Sequence, residues 1–238
     1  MIVLALDTCD ARGSLAILRD DEVLHVAGHD SGLDYSSWLL PATESALAAT
    51  RLQMADIELL AVAAGPGSFT GLRIGLTTVK AWGEVYGTRI AAVSRLEVLA
   101  SQAAHGAEIV AAFVGAQRGQ IFGGLYRREA QILKLIEQEM VIAPEEFLAF
   151  VEQHAARSPV SWISLDPEKI TALARWAGHA KNSEQIQLCE PMLAPIIGRL
   201  GRQRALEGRM QDALSLDAEY VRRSDAEIFW KGGVKRGA

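Results

Sequence analysis

Apolar and polar positions divide the chain into short runs whose period changes from segment to segment. Residues 1–8 form an uninterrupted apolar run that ends in Asp7-Thr8, the pattern of a strand buried on both faces. Two further runs, 13–19 and 22–28, are separated by the polar turn Arg19-Asp20-Asp21, so the chain should open with three antiparallel strands. Helical spacing sets in over 36–49, with Ser36 or Ser37 placed to cap it. A strand at 59–64 then runs into Gly65-Pro66-Gly67-Ser68-Phe69-Thr70-Gly71. The pattern next predicts a helix over 71–86, a strand over 90–93 and a helix over 95–104, before a pause at His105-Gly106.

Past that pause the pattern restarts. Ile2-Val3-Leu4-Ala5 is matched by Ile109-Val110-Ala111-Ala112, Arg12-Gly13 by Arg118-Gly119, and the Arg19 to Leu24 turn by Arg127 to Ile132. Three matches in order at a nearly constant offset indicate a duplicated hairpin-bearing unit. The second unit continues with a helix over 144–154, a strand over 160–165 and helices over 168–177 and 195–207. The expected fold class is therefore α/β, two duplicated lobes at 1–106 and 107–238, each a sheet flanked by helices.

Composition agrees with a well-filled core: of 238 residues, 50% are hydrophobic and 22% charged. Cys9 and Cys189 form neither a CxxC nor a ligand cluster, which points to a reducing, cytoplasmic setting. With Lys+Arg 24 against Asp+Glu 29, the net charge of −5 argues against a protein that grips nucleic acid alone. Basic residues gather in the tail, at Arg222, Arg223, Lys231, Lys235 and Arg236. No apolar run approaches membrane-spanning length, and the N-terminal run meets Asp7 too soon for a signal peptide.

The loop at 65–71 joins a strand to a helix and is glycine-rich, as phosphate-cradling loops are. Its spacing matches neither GxxxxGK[ST] nor GxGxxG, so a tight structural turn is the competing reading. Glycines recur at 67, 71, 75, 83 and 87, and each inside a helix costs roughly 1 kcal/mol against alanine. A close neighbour would compensate, either the helix's own sheet or a partner helix. The preceding helix carries Trp38, Leu39, Leu40, Ala42, Ala46 and Leu47, a wider apolar arc than one face needs, which favours a partner. His25 and His29 fall on a strand, about 13 Å apart, too far to share a metal. Ser68 lacks a nucleophile elbow, and no other self-contained catalytic set is present.

Taken together, Leu4-Ala5-Leu6-Asp7-Thr8, Leu39-Leu40-Pro41, Gly65-Pro66-Gly67-Ser68-Phe69-Thr70-Gly71-Leu72-Arg73-Ile74-Gly75, Val93-Ser94-Arg95-Leu96, Tyr220-Val221-Arg222 and Trp230-Lys231 resemble the TsaB (YeaZ) family. The resemblance implies the actin-like ATPase (ASKHA, ribonuclease H-like) fold. It also implies a dimerisation subunit of the machinery that makes N6-threonylcarbamoyladenosine at tRNA position 37, in a family once labelled glycoprotease. The implied role is non-catalytic: binding and activating the TsaD transferase subunit, with TsaE as a further partner and tRNA met through the complex. ATP and metal would belong to TsaD, and a homodimer would use the same helices.

TsaD-like proteins carry two metal-binding histidines where this chain has Val93-Ser94-Arg95-Leu96-Glu97-Val98-Leu99, and their GGG-type loop has no counterpart between Gly124 and Gly198. The partner-binding residues carried by the resemblance are Trp38, Leu39, Pro41, Ala42, Gly71, Leu72, Arg73, Gly75, Leu76 and Val79, with Asp7 as the candidate for a cofactor. The family's usual Asp-Ala-Arg is Gly115-Ala116-Gln117 here, and Cys9, Tyr35 and Ala218 also depart from its pattern. The competing reading is a TsaD-like transferase in its own right or an ATP- and metal-using enzyme of the kinase-like fold, which should place carboxylates at the starts of both lobes.

Overall fold

The computed structural model describes residues 1–29, 33–104, 107–130, 132–155, 158–181 and 184–216. The motif stretches at Tyr220 and Trp230, the basic tail, Ala218 and the pause at His105-Gly106 lie outside these residues.

β1 (Ile2–Asp7) sits at the middle of a five-stranded sheet because both of its neighbours shield it. β2 (Ser14–Arg19) pairs with it antiparallel, and β4 (Leu59–Gly65) pairs with it parallel. β3 (Glu22–Gly28) and β5 (Arg89–Ser94) complete the order β3-β2-β1-β4-β5. Between these strands lie α1 (Tyr35–Thr50), a 3₁₀ turn at Met54–Asp56, and α2 (Phe69–Tyr86). α3 (Arg95–Ser101) follows β5. α1 starts at Tyr35 rather than Ser36, with Asp34 at the cap position and no side-chain cap bond. Ser68 caps α2, two residues ahead of the expected start, and its hydroxyl accepts from Gly71 N at 3.4 Å.

The second sheet has the order β11-β10-β6-β7-β8, built from β6 (Ile109–Gly115), β7 (Ile121–Glu129), β8 (Ile132–Leu135), β10 (Val160–Ser164) and β11 (Ile186–Leu188). β9 (Met140–Ile142) pairs with β7 off that path. α4 (Pro144–Ala155), α5 (Glu168–Thr171) and α6 (Trp176–Lys181) stand between its strands, and α7 (Ala194–Leu206) follows β11. β9 and β11, three residues each, carry too little pattern to be read from sequence. The duplication is visible in the turns: Asp20 after β2 and Ala130 after β7 both take positive φ, 54° and 55°.

Alternate residues of β1 face opposite sides, and both sides are covered. Leu4 and Leu6 join Trp38, Leu39, Leu47, Leu76 and Val79 of α1 and α2 in an outer cluster. Val3 and Ala5 face inward, into a cluster shared by both sheets. Two helices fill that shared layer, and they are exchanged between the lobes. α3, from the first half, lies on β6 and β7, whereas α7, from the second half, lies on β1, β2 and β4. A boundary at 106 thus separates the sheets but not the helices: α7 belongs physically to the first lobe. Beyond α7 the chain bridges to the β5 edge through Ile90 and Gln211, then buries Leu216 in the outer cluster of that lobe.

The glycine ridge of α2 faces inward. A Cβ on Gly71 would overlap the Thr8 carbonyl, and one on Gly75 would overlap the Thr8 hydroxyl, which itself donates to Gly71 O at 2.7 Å. Gly67 is pressed on Cys9 in the same way. The compensating neighbour of these glycines is therefore the end of the chain's own β1, and their spacing is no longer an argument for a partner helix.

Candidate functional site

Two places were marked by the sequence: the cleft at the ends of the two central strands, and the outer helices of the first lobe. In the cleft, β1 ends at Asp7, fully buried, whose Oδ1 accepts from Cys9 N at 2.9 Å. β5 ends at Ser94, whose hydroxyl caps α3 by accepting from Glu97 N at 3.3 Å. That cap fixes the next residue, Arg95, with its side chain 1% exposed and its Nε 3.3 Å from Asp7 Oδ2. Arg95 Nη2 lies 2.6 Å from Asp10 Oδ2 in an ion pair too bent to be a hydrogen bond.

The chain of charges then crosses to the other lobe. Arg12 Nη2 donates to Asp10 Oδ2 at 2.7 Å, and its Nη1 donates to Asp166 Oδ1 at 2.9 Å and to Leu165 O at 3.1 Å. Asp166, just past β10, accepts from Gly115 N at 2.7 Å. Tyr35 adds a hydrogen bond to the Asp10 carbonyl, holding α1 to this loop.

Each shift in proton affinity follows from this wiring. Burial pushes the Asp10 carboxyl up, but Arg95 and Arg12 outweigh it and hold it at about 2. Burial opposes the charge on Arg95, yet Asp7 and Asp10 hold its proton more firmly than usual. Burial, reinforced by Asp7, pushes the Cys9 thiol well up, so it is a poor nucleophile.

Three carboxylates, Asp7, Asp10 and Asp166, thus face two guanidinium groups. An actin-like nucleotide site needs carboxylates free to meet a metal, and these do not fit one: Asp7 has no exposed surface and is paired to Arg95. Among the described residues, no group of three or more His, Cys, Asp or Glu could hold a metal ion. Sequence reasoning identified Gly115 as a lost carboxylate and missed that Asp166 brings one back to the same spot. Its oxygen lies 3.1 Å from where a Gly115 Cβ would stand. The Leu165-Asp166-Pro167 break after β10 was the available signal.

On the outer helices the structure divides the ten residues ascribed to partner binding. Trp38, Leu39, Leu72, Leu76 and Val79 are buried in the protein's own core, and Gly71 and Gly75 are buried against Thr8. The chain's own packing covers most of these seven, leaving 7% of Trp38 and 6% of Leu76 at the surface. Pro41 and Arg73 are exposed and Ala42 is partly buried. The face α2 does present runs Arg73, Thr77, Ala81 and Val85, each four residues on, so one side of the helix is open. Val85 is 74% exposed, and Leu40 beside Pro41 on α1 is 53% exposed. The Arg73 guanidinium stacks 3.8 Å from the centre of the Phe69 ring.

His29 places its two ring nitrogens 3.1 Å from Ala11 O and 2.9 Å from Leu33 O, and stacks on Tyr35. Among the described residues no helix is long and apolar enough to cross a membrane.

Comparison with known proteins follows this division. Residues 30–190 match the family model described as TsaD: tRNA N6-adenosine threonylcarbamoyltransferase. The chain is 28% identical to the tRNA threonylcarbamoyladenosine biosynthesis protein TsaB of Bacillus subtilis, over 97% of this chain and 98% of that one. It is 30% identical to the protein of the same name from Escherichia coli, over 61% of this chain and 64% of that one. A crystal structure from Pseudomonas aeruginosa, of an uncharacterized protein with similarity to peptidase YEAZ, superposes with a TM-score of 0.73 at 24% identity, covering 93% of this chain and 99% of that one. That likeness gives the fold, the two-lobed actin-like α/β architecture seen here. With the family model covering most of its length, the chain belongs to the family described as TsaD and, within it, to the TsaB (YeaZ) group.

Proposed function

We propose that this protein is a non-catalytic subunit in the synthesis of threonylcarbamoyladenosine in tRNA, and that it binds and activates a TsaD transferase subunit. TsaE is the expected third member, and ATP and metal are expected on TsaD. The observation that supports the reading is Arg95: a buried guanidinium, clamped between Asp7 and Asp10, occupies the carboxylate that the sequence marked for a cofactor. Relatives named for threonylcarbamoyladenosine biosynthesis supply the pathway. The docking surface we favour is the open face of α1 and α2, with Leu40, Pro41, Arg73, Thr77, Ala81 and Val85 at its centre.

Gel filtration of the protein mixed with TsaD from its own organism tests this. The wild type should co-elute, whereas Val85→Asp, which changes an exposed side chain, should keep its melting temperature and lose TsaD. A desolvated, unpaired carboxylate at an interface costs on the order of 3 kcal/mol, more than a hundredfold in affinity. Co-elution of Val85→Asp and Leu40→Asp at wild-type affinity would move the interface elsewhere. Calorimetry showing micromolar binding of magnesium ATP to the protein alone would restore the kinase-like reading.

A further inference from the structure

On the outer face of the second lobe, His179 of α6 lies between carboxylates from two other parts of the chain. Its Nε2 is 2.9 Å from Glu152 Oε1 on α4, and its Nδ1 is 3.0 Å from Glu184 Oε2, two residues before β11. The ring lies flat against Trp176, centroids 5.0 Å apart and planes 9° apart, and Trp162 of β10 meets both edge-on. This packing leaves the side chain 17% exposed and fixes the direction of both nitrogens. A neutral imidazole has one N–H and one lone pair, so it can serve one carboxylate while turning its lone pair on the other. Only the imidazolium donates to both.

We propose that His179 is a proton-operated clamp: when protonated it ties α4 to the approach of β11, and when it loses the proton one of the two ties opens. Each glutamate keeps a second partner for that event. Glu152 pairs with Arg175, just ahead of α6, and Glu184 accepts from Trp162 Nε1 at 2.9 Å. These are the charged groups that face the ring from the elements around it. The part set free would be β11, three residues at the sheet edge that among the described residues pair with β10, with the Gln187 side chain bonded to Gln102 O and Glu190 N to Gln102 Oε1. Burial draws His179 toward its neutral form, but the hydrogen bonds and charges of Glu152 and Glu184 outweigh it and raise its proton affinity. The clamp is therefore complete below the unfolded value of about 6.5 and is lost as pH rises through the higher folded value.

The test is an NMR titration of the histidine ring signals of the whole protein, with amide exchange followed at Ile186–Leu188. The His179 midpoint should lie above about 6.5, and Glu152→Gln and Glu184→Gln should each lower its proton affinity about threefold, the scale of a partly exposed ion pair. Exchange at Ile186–Leu188, corrected for its intrinsic pH dependence, should quicken above the midpoint in the wild type and show no such step in His179→Gln. A midpoint at or below the ordinary value, one unmoved by both glutamate variants, or a step that survives in His179→Gln would overturn the clamp.

Discussion

Replacing Arg95 by leucine removes the cation paired with Asp7, a carboxylate with no exposed surface. At 3.3 Å and an effective dielectric of about 20, the Arg95–Asp7 attraction is about 5 kcal/mol, which offsets the desolvation of both groups. Without the guanidinium, Asp7 keeps its desolvation and loses its partner, and such truncations cost about 3–5 kcal/mol. That is about a fifth or more of the stability of an ordinary domain. For a chain of this size it should lower the melting temperature by roughly 6–20 °C.

The pH dependence gives a second readout. Asp10, held at about 2, contributes stability that is present above its unfolded value near 3.9 and lost as pH falls through about 2. Arg95→Leu abolishes much of that contribution. The gap between variant and wild type should therefore be full at neutral pH and shrink on acidification. Urea melts at pH 7 and at about pH 2.5, inside the window in which Asp10 takes up its proton, would measure both quantities. The double variant Asp7→Asn, Arg95→Leu should recover most of the loss, since replacing both partners leaves no bare charge. If Arg95→Leu alone unfolds within about 0.5 kcal/mol of wild type, Asp7 is not a buried anion dependent on Arg95 and the account of the cleft fails.

Gly75→Ala should lower the urea midpoint by the equivalent of about 1–3 kcal/mol, because its methyl group would meet the Thr8 hydroxyl. A gain of about 1 kcal/mol, the bare propensity difference, would show instead that the ridge does not touch β1. Arg12→Ala should cost no more than about 1 kcal/mol, since its side chain is 37% exposed, and the loss should shrink in high salt.

The sequence announced most of the architecture because each lobe repeats one local pattern, and local pattern is what hydrophobic period encodes. A double-sided apolar strand such as β1 can lie only in the middle of a covered sheet, and the matching turns at Asp20 and Ala130 displayed the duplication. Relations between distant segments were less legible. Spacing showed that Gly71 and Gly75 needed a close neighbour, but a four-residue period states a face and not what lies against it. The neighbour is Thr8, 63 residues earlier than Gly71. Asp166 was hidden for the same reason, since it acts on Gly115 across 51 residues of sequence. Arg95 was recognised as a metal ligand's replacement, while its pairing with Asp7 and Asp10 depends on where Ser94 starts α3.

The exchange of α3 and α7 explains how the Asp7–Arg95 pair at the base of the cleft stays out of water. Gly198 and Gly201 of α7 meet Leu18, Ala5 and Ala61 so closely that the helix lies almost on the sheet. Arg204, further along the same helix, reaches the Ala92 carbonyl and Glu97 of α3, and so links the two exchanged helices. Ser94 and Tyr126 both bond Glu139, adding a crossing from the start of α3 to the second sheet. Each lobe's inner face is thus sealed by a helix belonging to the other half of the sequence, and separating the lobes would expose the apolar layer both share. The layer between the two sheets is packed, bonded and charge-paired. What remains free of that constraint is the outer side of α1 and α2, where Leu40 and Val85 stand exposed on helices whose inner sides are already held by β1. Under the proposed function this is the face that TsaD would meet, on helices whose inner sides the chain's own sheet already holds.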